Sequence, residues 1–277
     1  MDIIIKDMER IDLVKKEHNV KIGDICDYKE PNVINDAIFY IDGEPVGFYL
    51  KKMPDNMCNL ANIANAEFNS DNVPKAEMSR GPQGSKKDKI ERAKQGINLV
   101  TQYSTILGSI APKPHMRKPY PTTSPIHAVK SAKTFVKSML MLALESEKLI
   151  KQILPKQHEM QTQLFKSVPD KWKFGNLFTS SISNFNISAP FHRDTANIVG
   201  AVNVIVCKKL NSRGGDLHIP DYDATIGQED NSILVYPAWR NVHGVTPIKP
   251  LFEGGYRNSL VFYPLKAFVQ DGTEKTE

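Results

Sequence analysis

The amino-acid sequence predicts an α+β fold in which a mainly helical N-terminal support packs against a C-terminal β core. Apolar residues recur at helical spacing, with one hairpin, over residues 1–168. Over residues 169–270 the pattern changes to short β-rich segments separated by Gly, Pro, Asn and Asp, which is typical of a sandwich or a jelly roll. We therefore expect a single domain over residues 1–277, with a polar tail at 271–277.

The N-terminal support contains one predicted hairpin and two predicted helices. Two β-rich runs within residues 36–50 flank the turn sequence Asp-Gly, which favours a hairpin. Apolar residues recur at helical spacing in PDNMCNLANIANAEFN and over the longer stretch AVKSAKTFVKSMLMLALESEKLIKQIL. Between them, the proline-rich stretch at 111–125 indicates an extended loop, and a loop of this length inside a compact domain is often functional.

The composition is that of an ordinary globular chain, with 40% hydrophobic and 24% charged residues. No stretch approaches the roughly 20 apolar residues of a membrane span. The start, MDIIIKDMERIDLVKKEH, lacks the unbroken apolar core of a signal peptide, so we expect an intracellular protein, cytoplasmic or nuclear. Cys26, Cys58 and Cys207 form no CxxC pair, so we expect buried free thiols and no disulfides. The sequence makes no prediction about oligomeric state.

Positive charge is concentrated in one part of the chain. The net charge is +5, but residues 75–137 hold thirteen Lys or Arg and three acids, so the rest of the chain is net acidic. Such a segment can neutralise phosphates and attract DNA. A solvated surface with lysine-rich helix faces explains the same charges, so a motif elsewhere in the chain has to decide between them.

His192 and Asp194 stand two residues apart in FHRDTAN, directly before a β-forming run. In a strand or its exit, residues i and i+2 point to the same side, so the two side chains face one target while Arg193 faces away. His243 is the candidate for a third ligand. Two histidines and one carboxylate can hold ferrous iron and leave adjacent coordination positions open for catalysis. A lone H-x-D also arises by chance in many chains, and a histidine on an apolar face is more often a core residue with satisfied hydrogen bonds.

Arg257 provides a second observation, because it lies in the otherwise apolar strand GGYRNSLVFYPLK. A buried guanidinium requires an anionic partner, and a carboxylate fits its planar fork. Ser259 points the same way and could donate to the same carboxylate. The pair predicts a small diacid, 2-oxoglutarate, that chelates iron at its other end. Asn184 is a candidate for contact with the iron-bound end, with a hydrogen bond inside the sheet as the alternative.

Together, the H-x-D pair, the distal histidine and R-x-S on the next strand resemble the Fe(II)/2-oxoglutarate-dependent dioxygenase superfamily. Its fold is a double-stranded β-helix of the jelly-roll or cupin-like type. HRDTAN and RNSLVFYPLK are similar to the TET/JBP nucleic-acid dioxygenases, which oxidise the 5-methyl group of cytosine or thymine in DNA. The resemblance implies iron at His192, Asp194 and His243, 2-oxoglutarate at Arg257 and Ser259, and O2 as cosubstrate.

The same resemblance implies residues for the oxidised substrate. Asn197 would hydrogen-bond the flipped base, and Tyr263 would stack on it. Two residues past this tyrosine, where vertebrate TET enzymes have a base-reading histidine, the chain has Leu265. The departure leaves open which base is read. The basic segment 75–137 would bind phosphates, and the proline-rich loop would be its lid.

The predicted function is therefore oxidation of the 5-methyl group of a pyrimidine base, 5-methylcytosine or thymine, in DNA. One alternative is a 2-oxoglutarate dioxygenase that hydroxylates a protein side chain or a small molecule, which needs no basic surface. The second alternative is a catalytically silent binding module of the same fold. The presence of all three candidate ligands and of the Arg-Ser pair disfavours it.

Overall fold

The structure, a computed structural model, describes residues 7–77 and 101–270. Its α-helices are α1 (Asp55–Asn69), α2 (Lys133–Ile153) and α3 (Pro155–Leu164). Its first strands are β1 (Glu9–Asp12), β2 (Ala37–Ile41), β3 (Glu44–Leu50), β4 (Ala76–Glu77), β5 (Tyr103–Ile110) and β6 (Thr122–Thr123). The later strands are β7 (Ser180–Phe185), β8 (Ala189–His192), β9 (Asn203–Leu210), β10 (Ser212–Gly214), β11 (Leu217–Ile219), β12 (Ala224–Ile226), β13 (Ile233–Tyr236), β14 (His243–Val245), β15 (Ile248–Pro250) and β16 (Tyr256–Tyr263).

Two sheets form the β core. The large sheet has the order β1-β2-β3-β13-β9-β16-β7-β5-β4, with β6 paired to β5, and the small sheet has the order β12-β11-β14-β8. Their pairings are antiparallel apart from that of β1 with β2. Apolar residues of both sheets pack together between them, including Ile205 and Leu234 from the large sheet and Leu217 and Ile226 from the small one. The predicted jelly-roll core, a double-stranded β-helix, is confirmed.

The helices cover the opposite face of the large sheet. Alternate residues of β9 show why, because Ile205 faces the small sheet while Val204 and Val206 face the helices. Phe68 of α1 and Phe135 of α2 pack against each other in this second core. Both predicted helices and the hairpin of β2 and β3 are confirmed, while the described part of residues 1–168 also supplies β1, β4, β5 and β6 to the β core.

Two differences from the sequence prediction concern the strands nearest the candidate site. β5 was not predicted, yet it pairs with β7 along its length and extends the large sheet. The β-forming run after FHRDTAN becomes a strand only at Asn203, because Asn197 pairs through its backbone with Leu265 and Gly200 adopts a positive φ of 89°. The predicted extended loop at 111–125 is confirmed, apart from one 3-10 turn and β6, and Lys113 to Tyr120 are exposed.

Residues 13–35, which we call the strap, run along the small sheet. The backbone of the strap bonds to this sheet and its connections: Lys16 N donates to Asp221 O at 2.7 Å, and Phe191 N donates to Asp24 O at 2.9 Å. Cys26 packs against Gly244, where a Cβ atom would lie 2.7 Å from Cys26 Cβ. The strap is therefore part of the wall behind β8 and β14.

The three cysteines are free and buried, as predicted. In the ranges that the structure describes, no helix has both the length and the apolar character that crossing a bilayer requires.

Candidate metal and cosubstrate site

One cavity of about 630 Å³ is lined by residues of both sheets. All nine residues that the sequence singles out for the site line this cavity. They are Asn184, His192, Asp194, Asn197, His243, Arg257, Ser259, Tyr263 and Leu265. The structure thus brings them together, while their individual roles stay predictions.

The candidate metal ligands meet where the small sheet ends. His192, the last residue of β8, pairs directly with His243, the first residue of β14. Their ring centroids are 4.4 Å apart, and Asp194 Oδ1 lies 3.6 Å from His192 Nε2. One ligand atom from each of the three residues lies within 4.8 Å of the others, and no second group of this kind occurs among the described residues.

Hydrogen bonds fix the tautomer of both histidines. His192 Nδ1 lies 2.8 Å from Pro190 O, and His243 Nδ1 lies 3.0 Å from Asn241 O. A carbonyl oxygen only accepts, so each Nδ1 carries the proton and donates. Each Nε2 therefore presents its lone pair, which is the form of imidazole that binds a metal ion.

Two amides orient the Asp194 carboxylate. Asn203 Nδ2 donates to Asp194 Oδ2 at 3.2 Å, and Asn197 Nδ2 approaches the same oxygen at 3.5 Å. Asn197 Nδ2 also donates to Asn203 Oδ1 at 2.9 Å. Because Oδ2 is held in this way, Oδ1 is the oxygen directed at His192. Neither amide was predicted to position the carboxylate, since only the folded chain brings Asn203 to Asp194.

Burial shapes the electrostatics of this cluster. It raises the pKa of Asp194, against the lowering effects of His192 and of the two amides. Burial, followed by the nearby His192, lowers the pKa of His243 to about 3. His243 is therefore neutral near pH 7, as a metal ligand must be. A divalent cation would favour the ionised form of Asp194, so the donor set fits Fe(II).

A chain of hydrogen bonds holds the Asn241 backbone that accepts from His243. Asn241, whose carbonyl accepts from His243, donates its amide to Asp221 Oδ2 and lies 3.2 Å from the Tyr222 hydroxyl. The other oxygen of Asp221 lies 2.8 Å from His18 Nε2 in the strap. These contacts connect the strap to the metal end of the cavity.

At the other end of the cavity, the Arg257 side chain is only 3% exposed. Its Nε is buried and donates to no oxygen atom of the described residues, and the Cys207 thiol, a weak acceptor, is the polar side chain that interacts with the guanidinium. Gly215 leaves room for it, because a Cβ atom there would lie 2.6 Å from Arg257 Cδ. Buried polar groups are rarely left unpaired. A buried guanidinium with an unpaired N–H and the Ser259 hydroxyl in the same cavity wall fits the distal carboxylate of 2-oxoglutarate.

One sequence interpretation changes with the structure. Arg193 was expected to face away from its neighbours, but it lines the cavity and is exposed. Strand alternation no longer applies to it, because β8 ends at His192. Asn184 lines the cavity, whereas its neighbour Asn186 accepts from Arg257 N and so bonds within the sheet. From the sequence alone, the Gly-Gly pair in SRGGDLHIP was the only indication that position 215 requires a glycine.

The comparisons with known proteins agree with this geometry. Residues 109–266, more than half of the chain, match the family model described as the oxygenase domain of the 2OGFeDO superfamily. The fold and the donor set therefore define an Fe(II)- and 2-oxoglutarate-dependent oxygenase, an oxidoreductase. Within this class, the chain belongs to the Tet/JBP family. No curated protein matches the chain.

Several solved structures are similar to the chain. NgTET1, solved in complex with 5mC DNA, has a TM-score of 0.56 at 14% identity, over 93% of this chain and 86% of that one. It supports the fold. A 2OG-Fe(II) oxygenase family oxidoreductase from Burkholderia pseudomallei has a TM-score of 0.45 at 11% identity, over 78% and 84% of the two chains. OsALKBH1 has a TM-score of 0.39 at 14% identity, over 80% and 97%.

Proposed function

We propose that this oxygenase oxidises the 5-methyl group of a pyrimidine base, 5-methylcytosine or thymine, in DNA. One observation carries the proposal: the three candidate metal ligands and Tyr263 line one cavity, and the proline-rich loop at 111–125, which we call the basic loop, begins at the same end of the large sheet as Tyr263 and has exposed Lys and Arg residues. The solved NgTET1 complex contains 5mC DNA, which supports the choice of substrate.

Different residues of the cavity would bind the metal, bind 2-oxoglutarate and exclude water. His192, Asp194 and His243 would hold Fe(II), and Arg257 and Ser259 would hold 2-oxoglutarate. When bound, iron and 2-oxoglutarate supply the activation of O2 that oxidation of a methyl group requires. The chain places the reactants. Apolar residues in the same wall keep water from the reacting centre, and these are Ile182, Ile205, Leu217, Val245 and Val261.

Tyr263, Asn197 and Leu265 form the part of the cavity wall that would receive an extruded base. An aromatic ring can stack on any base, typically contributing about 1–3 kcal/mol. The Asn197 amide nitrogen already bonds to Asn203 and approaches Asp194, so its Oδ1 would be the atom that contacts a base. An acceptor oxygen suits the amine of cytosine and the ring N–H of thymine alike. With Leu265 apolar, both bases stay candidates.

The basic loop lies at the same end of the large sheet as Tyr263 by sheet register. Tyr263 of β16 pairs with Ser180 of β7, and Ser180 pairs with Gly108 of β5. β5 ends at Ile110, two residues after Gly108, and the loop begins at the next residue, Ala111. Its Lys113, Arg117 and Lys118 are exposed. Such charges can neutralise the phosphates that flank an extruded nucleotide.

Part of the basic segment 75–137 lies outside the described residues. This part is residues 78–100, which contain Arg80 and the cluster from Lys86 to Lys94.

The direct test incubates the protein with Fe(II), 2-oxoglutarate and DNA that contains either 5-methylcytosine or only thymine, followed by mass analysis of the nucleosides. We expect hydroxymethylated or further oxidised bases in one of the two DNAs, and none with Asp194→Ala. Oxidation of a protein or small molecule with no modified base in either DNA would replace the proposal with the first alternative.

A charge-reversal variant tests the role of the loop. Lys113→Glu, Arg117→Glu and Lys118→Glu together should weaken DNA binding and reduce the slope of log affinity against log salt by up to about 3. The matched control reverses Lys148, Lys151 and Lys156, exposed residues of α2 and α3, which cover the other face of the large sheet. Equal losses in both variants would contradict a specific contact of the loop with DNA.

A further inference from the structure

We propose that Ser188 is a third residue of the site that holds the anionic end of 2-oxoglutarate, beside Arg257 and Ser259, and that Gly215 sets the space for this site. The inference rests on the proposed assignment of Arg257 to 2-oxoglutarate. It does not depend on which substrate is oxidised.

Among the described residues that line the cavity, Ser188 and Arg257 are the two with a buried polar side-chain atom that has no hydrogen-bond partner. Ser188 is 1% exposed and lines the cavity, and its Oγ has no hydrogen-bond partner in the part of the chain that the structure describes. Arg257 Nε is buried and unpaired in the same cavity wall. A buried donor without a partner is unfavourable by about 1–3 kcal/mol. Two such donors in one wall indicate a ligand with acceptor oxygens.

Backbone contacts hold Ser188 close to Arg257. Two residues before Ser188, Asn186 N donates to Arg257 O at 2.7 Å, and Arg257 N donates to Asn186 Oδ1 at 3.0 Å. One residue after Ser188, Ala189 pairs with Val245 of β14. Ser188 is thus fixed between the backbone of Arg257 and the small sheet.

Gly215, which packs against Arg257, is held by contacts with the small sheet. Thr246, which follows Val245, exchanges two hydrogen bonds with Asp216, at 3.0 Å and 2.9 Å. Gly215 precedes Asp216 and has a φ of 74°, and a Cβ atom there would lie 2.6 Å from Arg257 Cδ and 3.0 Å from Nε. Any larger residue would displace the guanidinium.

The charge balance also indicates an anionic ligand. Asp216 is the buried carboxylate nearest in sequence to Gly215, and its oxygen Oδ1 accepts from Gln228 N at 2.8 Å and lies 4.0 Å from Lys209 Nζ. Burial raises the pKa of Asp216, and the charges of Lys209 and Arg257 act against this rise, but Arg257 forms no ion pair with a carboxylate of the described residues. A buried cation needs a partner, and a carboxylate of the ligand provides one.

The test compares two ligands that differ only at the end in question. Binding of 2-oxoglutarate and of 2-oxopentanoate, which lacks the distal carboxylate, is measured by calorimetry on the Mn(II)-loaded protein. We expect Ser188→Ala to raise the Kd of 2-oxoglutarate about tenfold, as loss of a hydrogen bond to a charged group does. The Kd of 2-oxopentanoate should stay within about twofold, since this ligand presents no acceptor to Ser188.

The matched control is Ser181→Ala. Ser181 Oγ is also buried and unpaired among the described residues, but Ser181 does not line the cavity, so both Kd values should stay unchanged. An unchanged Kd of 2-oxoglutarate in Ser188→Ala, or an equal rise for both ligands, would overturn the role of Ser188. If the wild-type protein binds both ligands equally, the assignment of Arg257 itself is wrong, and the inference is overturned with it.

A second pair of variants tests the space at Gly215. Gly215→Ala should raise the Kd of 2-oxoglutarate by about tenfold or more, because the guanidinium fork is displaced. Gly254→Ala is the control, since its φ of 77° imposes the same backbone strain while no atom lies within 4 Å of the added Cβ. Equal effects of the two variants on the Kd would overturn the proposed fit.

Discussion

The two ends of the cavity are built in different ways. At the metal end, the histidine Nδ1 atoms donate to backbone carbonyls, and Asp194 Oδ2 is held by amides. At the other end, Arg257 Nε and Ser188 Oγ have no partner among the described residues. The side chains of the candidate metal end are therefore oriented by the protein alone, while we propose that the Arg257 end is completed by the carboxylate of its ligand. We expect substitutions at the first end to change metal binding and those at the second to change 2-oxoglutarate binding.

The largest expected effect is at the metal end. His192→Ala or Asp194→Ala should reduce succinate formation to the uncatalysed background, because two ligands cannot replace the facial set of three. The melting temperature should change little, since both side chains are at the cavity surface. Measurement of succinate at saturating 2-oxoglutarate checks this, and a fully active variant would remove the iron assignment.

Next in size is the effect at the carboxylate end. Arg257→Ala should raise the concentration of 2-oxoglutarate required for half-maximal turnover by about 100-fold or more, since it truncates one partner of a buried charge pair. The affinity for Fe(II) should stay near that of the wild type. Arg257→Lys keeps the charge but loses the fork, so an intermediate value is expected. An unaltered requirement would contradict the difference between the two ends.

A smaller effect is expected from the residues that orient the metal ligands. Asn203→Ala frees Asp194 Oδ2 and should lower metal affinity by about 10- to 100-fold, with 2-oxoglutarate affinity unchanged once metal is saturating. Competition with a fluorescent chelator measures it. Asn65→Ala is the control, because Asn65 is a buried, hydrogen-bonded amide of α1 that does not line the cavity. Equal losses in both variants would indicate general destabilisation.

The smallest expected effect is a pH dependence of stability caused by His218, which packs against Phe191 of β8. His218 is 6% exposed, lies against the edge of Phe191, and has its pKa lowered by burial. In the unfolded chain His218 takes up a proton near pH 6.5. In the folded chain it does so only at a lower pH, because its pKa is lowered. The free energy of unfolding should thus fall as pH decreases below about 6.5, by at most about 1.4 kcal/mol per pH unit from this group.

Urea unfolding at about pH 7.5 and about pH 5.5 measures this dependence. His218→Gln should reduce this dependence but not remove it, because the pKa of His243 is lowered as well, while substitution of the exposed His115 should leave it unchanged. A pH dependence that persists unchanged in His218→Gln would show that another group is responsible.

Much of the site could be predicted because its chemistry restricts residue types. The H-x-D spacing brings His192 and Asp194 to one side of the chain, iron requires a third ligand, and a cation in an apolar strand requires an anion. Asn203 and Ser188 could not be predicted in this way. They act through contacts between strands far apart in sequence, and Asn and Ser are ordinary residues in any strand or turn.

β5 was missed for a related reason. Its sequence, YSTILGSI, and that of its partner β7, SSISNF, are rich in hydroxyl groups, which is not the pattern of a buried strand. Several of their hydroxyl groups bond to backbone instead, as when Ser180 Oγ donates to Ser109 O at 2.6 Å and Thr105 Oγ1 donates to Pro74 O at 2.6 Å. Side-chain bonds to the backbone make such strands compatible with burial.

The pairing of β3 with β13 has a practical consequence. The family match begins at residue 109, and a truncation at this boundary would remove β3 together with the Phe48 and Tyr49 side chains that its neighbours bury. β13 would become an open, apolar edge, and such edges aggregate. Recombinant fragments for the measurements above should therefore keep the first fifty residues.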